Sequence, residues 1–202
     1  PLQVTPESSI NTPAPYYLDQ MRAIDAIRFS MPSDCTLVVK EHPAFIGVRP
    51  WRFYRALRRR AGVQVAYYRM PSLEIIRRAG VTISVTGTAT FEALLLGRSS
   101  LVLGGSFVTE YLGGICTVND LEPRIKAALA TPPTEDQIVR AVTEILSVRH
   151  EGIFRPPDEE GEWSGRPSNV RRLLQAFLNH LEKVAAGQRI VTSRAGAGAS
   201  GE

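Results

Sequence analysis

The chain has 202 residues, 44% of them hydrophobic, with 24 Lys+Arg against 20 Asp+Glu and a net charge of +4. That length suits one well-cored domain with appendages, and no stretch reaches the ~20 apolar residues of a membrane-spanning helix. The mild basic excess favours anionic ligands or an anionic membrane surface, and the two cysteines, Cys35 and Cys116, stand outside any CxxC or Cys/His cluster, which disfavours a metal site.

The opening PLQVTPESS has no basic segment followed by an apolar one, so no signal peptide is expected; lacking Met, it reads as the start of a fragment cut from a longer protein. Leu2–Thr5 reads as the remnant of a first strand. Tyr17–Ser30 follows as a helix, with Leu18, Met21, Ile24 and Ile27 along one face. Thr36–Lys40 is a second strand running into Glu41-His42-Pro43. A helix from Pro50 to Ala61 carries Arg52, Arg55 and Arg58-Arg59-Arg60, and this basic cluster reads as a solvated face, with phosphate or lipid contact as the alternative. Val63–Tyr67 is a third strand, followed by a short helix capped at Ser72.

Val81–Gly97 organises the rest. Val81, Ile83 and Val85 are β-branched, as in a strand buried on both faces. Thr86-Gly87-Thr88 breaks the run, with Gly87 free to take φ > 0 or allow close backbone approach, and either Thr able to cap the helix that follows. That helix is expected to bury Phe91, Leu94 and Leu95 and to end at Gly97. Ser100–Leu103 is a fifth strand and Ile115–Val118 a short sixth, preceding a helix from Asp120 to Ala130. Strand–helix alternation with short connections predicts an α/β fold. We expect a Rossmann-like doubly wound parallel sheet of about six strands in the order 3-2-1-4-5-6, followed by C-terminal helices.

Beyond Pro132-Pro133 the pattern becomes helical. Glu135–Val148 and Asn169–Val184 are amphipathic, Glu151–Pro167 is a polar loop, and the Gly/Ala/Ser-rich end should be disordered. The expected divisions are 1–132, a Rossmann-like domain; 133–185, a helical extension packing on it; and 186–202, a tail.

Ligands of open parallel sheets bind beyond the carboxyl ends of the strands, where strand order reverses. The unusual residues fall at those ends: Glu7-Ser8-Ser9, Lys40-Glu41-His42-Pro43, Thr86-Gly87-Thr88 and Gly104-Gly105-Ser106. His42 either caps a strand end or donates to a phosphate oxygen, with Lys40 as a nearby point charge. Glu92 either answers the helix dipole or accepts from sugar hydroxyls. Glu7 is a loop carboxylate or a group facing the cleft. Ser106 and Tyr111 are candidates by position in a Gly/Ser-rich loop, and His150 reads as a solvated linker residue. The chain has no GxGxxG fingerprint, which disfavours a nicotinamide or flavin enzyme.

The PE of Pro6-Glu7, KEHP at Lys40–Pro43 and TGTATFEALLLG at Thr86–Gly97 resemble bacterial capsular and surface polysaccharide biosynthesis proteins. These are glycosyltransferase-like proteins of the GT-B type, related in style to capsule Kdo transferases and glycerophosphotransferases, and the resemblance covers roughly Leu2–Asp120. It implies the C-terminal, donor-binding half of a two-domain transferase, with the N-terminal Rossmann-like domain missing. His42 and Pro43 would contact the donor's phosphates, and Gly87, Thr88 and Glu92 would lie beside the donor. We therefore expect Glu7 and His42 in catalysis, and Lys40, His42, Pro43, Thr86, Gly87, Thr88, Glu92 and Ser106 in substrate binding. The expected partners are a nucleotide-sugar donor and a saccharide or lipid-linked acceptor, with no metal, no other cofactor and no nucleic acid. The expected place is the cytoplasm, with peripheral contact at the anionic inner face of the bacterial inner membrane. Two rivals remain open: a nucleotide-sugar 2-epimerase, and a non-catalytic nucleotide- or RNA-binding module using the arginine helix.

Overall fold

The computed structural model of this chain describes residues 1–4, 11, 14–105, 109, 112, 114–147 and 167–186. The chain divides into two units, one built on Pro1–Ala141 and the other within Val142–Thr192.

The first unit alternates strands and helices. Ahead of the first helix, Pro15–Tyr17 forms a 3-10 turn. Helix α1, Gln20–Ser30, starts three residues later than the periodicity suggests, because Asp19 takes the cap position and accepts from the Met21 amide at 3.0 Å. Strand β1 is Leu37–Val39 and β2 is Val63–Val65, paired in parallel with Leu37 opposite Val63. Between them lie a 3-10 turn, Pro43–Phe45, and helix α2, Trp51–Arg58, for which Pro50 is the N-cap rather than the first helical residue. Helix α3, Ser72–Arg78, leads to β3, Val81–Ser84; helix α4, Ala89–Leu95, leads to β4, Ser99–Val102. Strands β3 and β4 are parallel, with Val81 opposite Ser99. Helix α5, Leu121–Ala130, and α6, Glu135–Ser147, follow, α6 opening on a capping box in which Thr134 and Gln137 bond each other's amides. The second unit carries α7, Pro167–Ala185, on which Leu174, Phe177, Leu178 and Leu181 are exposed.

The architecture is therefore mixed α/β, with seven α-helices and two parallel two-stranded sheets among the described residues. No six-stranded sheet is formed there. The expected first and sixth strands make single links instead of ladders: the Leu2 amide donates to the Lys40 carbonyl at 2.8 Å, and Ile115 forms one isolated bridge with Val102. Gly114, at φ +85°, turns the chain just before Ile115, and a turn in which Asp120 accepts from the Thr117 amide and hydroxyl follows it.

Helix α1 ties the two sheets together. Ile27 lies in a core with Val85, Leu101, Leu103, Leu121 and Ile125, whereas Ile24, one turn back, lies with Leu2, Val39, Leu57 and Val63. Burying such side chains stabilises by roughly 1.5–3 kcal/mol each.

Several local expectations change. Ser72 and Thr88 make no side-chain cap bond; Ser72 already lies inside its helix, and Thr88 has helical backbone angles that turn its hydroxyl away from the cap position. The Thr88 hydroxyl donates to Glu92 at 3.4 Å instead. Leu95 is 50% exposed, while Ala93 and Leu94 carry the buried face of α4. The helix does end before Gly97, whose amide donates to Leu94 while that of Arg98 donates to Ala93. In β3 the residues most deeply buried are Thr82 and Ser84, with Val81 and Ile83 only partly covered. No described helix is long and apolar enough to cross a membrane. Residues 151–166 and 187–202, expected as loop and tail, lie outside the described residues.

Candidate anion site at the carboxyl ends of the strands

Strand β1 delivers Lys40, Glu41 and His42 in succession to its carboxyl end. Lys40 is buried, and its ammonium donates to the Tyr68 carbonyl at 2.6 Å. No carboxylate among the described residues pairs with it. Glu41 is also buried and does have a cation: Arg49 Nε meets its Oε2 at 2.9 Å, with both side chains more than nine-tenths covered. Tyr54 donates to the same oxygen at 2.6 Å, and the His42 amide donates to Oε1 at 2.7 Å. The Arg49 guanidinium sits over both Phe45 and Phe53, 5.1 and 4.7 Å from the ring centres. Burial, and then the bond to Glu41, push the Tyr54 phenol up to about 12.

This buried pair shapes the loop that carries His42. The His42 ring is exposed, and its Nδ1 accepts from the Ala44 amide at 3.2 Å, capping the Pro43–Phe45 turn. In the neutral ring that bond places the proton on Nε2. His42 is thus a cap and a donor at once: one nitrogen holds the turn and the other faces outward. Glu41 contacts the backbone of His42 and not its imidazole, so no described carboxylate orients the ring as a general base. Pro43 occupies the first position of the turn and is exposed.

The carboxyl end of β3 is built from uncharged groups. Ser84 Oγ accepts from the Gly87 amide at 3.0 Å and from Gln3 Nε2 at 3.1 Å. A Cβ on Gly87 would sit 2.9 Å from that hydroxyl oxygen, so close approach requires glycine here; φ is not positive. Gly104, closing β4, is confined in the same way, with the Ala14 side chain 2.6 Å and the Thr86 side chain 3.1 Å from where a Cβ would lie. Thr90 Oγ1 donates to the Gly87 carbonyl at 3.1 Å, which pins the turn to the first turn of α4. Because the Gly87 amide already bonds Ser84, it is not among the donors open to a ligand. Thr86 and Glu92 are half-buried and Thr88 exposed.

Gln3 joins the two ends. Its amide donates to Gln20 Oε1 at 2.7 Å, its carbonyl accepts from Gln20 Nε2 at 2.8 Å and Arg49 Nη2 at 2.9 Å, and its side chain reaches Ser84 and, at 3.5 Å, Thr86. Lys40, His42 and Pro43 on one side, and Thr86, Gly87, Thr88 and Glu92 on the other, are therefore bridged by one glutamine. Glu7, Ser106, Tyr111 and His150 lie outside the described residues.

Gln3, Gln20, Arg49 and Tyr54 were not singled out by sequence reasoning as site residues, and Glu41 was marked only as part of the Lys40–Pro43 segment, with no role. Gln3 had a signal, since an amide side chain within an apolar strand-like run needs a partner. Glu41 and Arg49 had none, because their pairing depends on how the loop folds. Elsewhere, an open cleft of about 410 Å³ lies between the start of β4 and α5. Arg124 lines it, held by the carbonyls of Leu112, Gly114 and Ile115, and its place at the amino end of β4 sets it apart from the strand ends above. No described group of three His, Cys, Asp or Glu side chains could hold a metal ion. Comparison with known proteins found no matching family model, curated protein or solved structure.

Proposed function

We propose that this chain binds the phosphates of a nucleotide-activated sugar, as the donor-binding half of a GT-B-type glycosyltransferase in capsular or surface polysaccharide assembly. The observation that carries the proposal is the buried Lys40 ammonium, which has one carbonyl partner and no described carboxylate, beside the exposed His42 ring. A buried cation without a counter-ion is costly, and an anion arriving from outside relieves that cost.

The same reading treats the two strand pairs as parts of one Rossmann-like sheet. Segment 2–4 is its first strand, lying between β1 and β3, and the order runs β2, β1, 2–4, β3, β4 and Ile115. The bond from Leu2 to Lys40, the Gln3 contacts with Ser84 and the helix α1 common to both cores support that order. It puts the reversal of strand order between β3 and segment 2–4, with the anion site beside it.

In this role Lys40 and the His42 Nε2–H stabilise negative charge that grows on the leaving phosphate oxygen as the bond to the sugar breaks. Thr86, Thr88 and Glu92 offer hydroxyl and carboxylate contacts to the donor's sugars. The acceptor is held by the other domain of such an enzyme; Glu7 and Ser106, expected from the sequence as site residues, lie outside the described residues.

Thermal-shift and calorimetric titration with CMP, CDP, UDP and GDP tests the proposal, alongside His42→Ala and Lys40→Met. One nucleotide should raise the melting temperature, with affinity falling roughly ten- to a hundredfold in either variant. Binding undiminished in both variants, or no binding by any nucleotide, would overturn the assignment.

A further inference from the structure

Six arginines lie between positions 49 and 60, and they separate into two groups. Arg49 and Arg60 bracket α2 and each meets a carboxylate, Glu41 and Asp25 respectively. Arg52, Arg55, Arg58 and Arg59 are exposed and form no ion pair with any described residue. Successive residues of a helix are 100° apart, so Arg52, Arg55 and the C-capping Arg59 lie opposite the fully buried Leu57, with Arg58 on the adjoining flank. Trp51, 68% exposed, lies on the same face, and the Arg55 guanidinium covers its ring at 5.3 Å. The loop that enters the helix adds exposed Ile46 and Val48.

Four neighbouring like charges repel one another, and no acid is interspersed among residues 49–60 to offset them. A face kept for solubility mixes both signs and hides its large apolar side chains. This one does neither, and its chemistry is that of an interfacial surface: cations for headgroup phosphates, with a tryptophan and two aliphatic residues to enter the headgroup boundary.

We propose that the outer face of α2, with Ile46 and Val48, docks on an anionic lipid bilayer. Charge complementarity favours this occupant, and the apolar residues favour it over RNA. Bases need open aromatic faces on which to stack, but Trp51 is covered by Arg55, and Phe53 and Tyr54 turn toward the interior beneath Arg49 and Glu41. The inference does not depend on the donor-site reading. If both hold, the bilayer lies against the same loop that carries His42, within reach of a lipid-linked acceptor.

The test is co-sedimentation of the whole chain with phosphatidylcholine vesicles, with and without phosphatidylglycerol, at low and high salt. Binding should need the anionic lipid and weaken with salt. Each of Arg52→Gln, Arg55→Gln, Arg58→Gln and Arg59→Gln should lower the partition coefficient roughly fivefold. In a Trp163→Phe background, Trp51 emission should shift to the blue on adding anionic vesicles, a readout that needs no change to α2. A Leu174→Ser/Phe177→Ser variant controls for the exposed residues of α7 and should bind as the parent does. The proposal is overturned if the quadruple arginine variant binds undiminished, if the α7 variant abolishes binding, if Trp51 emission stays fixed, or if RNA oligonucleotides bind while vesicles do not.

Discussion

The ends of β1 and β3 position neighbouring candidate residues by opposite means. At β1 the fixing groups are ions: Glu41 and Arg49 paired out of water, with the Tyr54 hydroxyl as a third member. At β3 they are neutral: the Ser84 hydroxyl, the Gln3 amide and the Gly87 backbone. A buried ion pair tolerates no missing partner, because the charge left behind cannot reach water. A neutral network loses one or two hydrogen bonds and closes up. The first device therefore holds the His42 loop more stringently than the second holds the Thr86–Thr88 turn, and the two should fail on different scales.

The largest expected effect is at β1. Glu41→Ala leaves the Arg49 charge uncompensated and should cost about 3–5 kcal/mol in urea unfolding, whereas Glu41→Gln/Arg49→Met, which removes both charges, should recover much of that loss. Equal losses in the single and double variants would show that the pair does not act as a pair.

At β3, Ser84→Ala strips the acceptor from both the Gly87 amide and Gln3 and should cost roughly 1–3 kcal/mol. Gly87→Ala should fall in a similar range, since the new methyl meets the Ser84 oxygen. If Ser84→Ala cost as much as Glu41→Ala, the contrast between the two ends would vanish.

The alkaline limb sharpens the comparison. The folded Tyr54 phenol is raised from 10 to about 12, so its contribution is intact below pH 10 and is lost as pH rises through 10 toward 12. Cys116, pushed up from 9 to about 11 by burial, makes a parallel contribution beside β4, lost between 9 and 11. Tyr54→Phe should flatten the upper part of the stability–pH curve and leave the lower part in place.

Smaller effects follow. The Thr82 hydroxyl is buried on β3 without a partner among the described residues, so Thr82→Val should stabilise by about 1 kcal/mol, read as a higher urea midpoint. The bond from Arg60 lowers the Asp25 carboxyl below its usual 3.8, so that contribution is present above 3.8 and lost as pH falls through the folded value. The Asp25 side chain is 40% exposed, and solvent screening keeps the worth of the pair below about 1 kcal/mol.

What could be read from the sequence follows the same division. Short apolar, β-branched runs marked β1, β2, β3 and β4, although in β3 the deeper burial falls on Thr82 and Ser84, and the turn at Gly87 stood out because glycine interrupts such a run. Close approach at Gly87 was one of the two expectations there, and it holds without a positive φ; Ser84, three residues away, was not foreseen as the group that approaches. Glu41 finds Arg49 and Tyr54 at separations of 8 and 13 residues through an irregular loop, and no periodicity encodes that. Caps were misjudged at Ser72 and Thr88 because both threonine and serine also occupy helical positions, where the hydroxyl bonds elsewhere. The sixth-strand expectation met a single bridge, since one apolar run cannot reveal a turn that bends it away.

The most direct test of the anion site is an amide-resolved NMR titration of the chain with the nucleotide that binds best. The account predicts shifts at His42–Ala44 and at Thr86–Thr88 together, saturating at one concentration. Shifts confined to the residues lining the cleft at Arg124, or to α2, would contradict it.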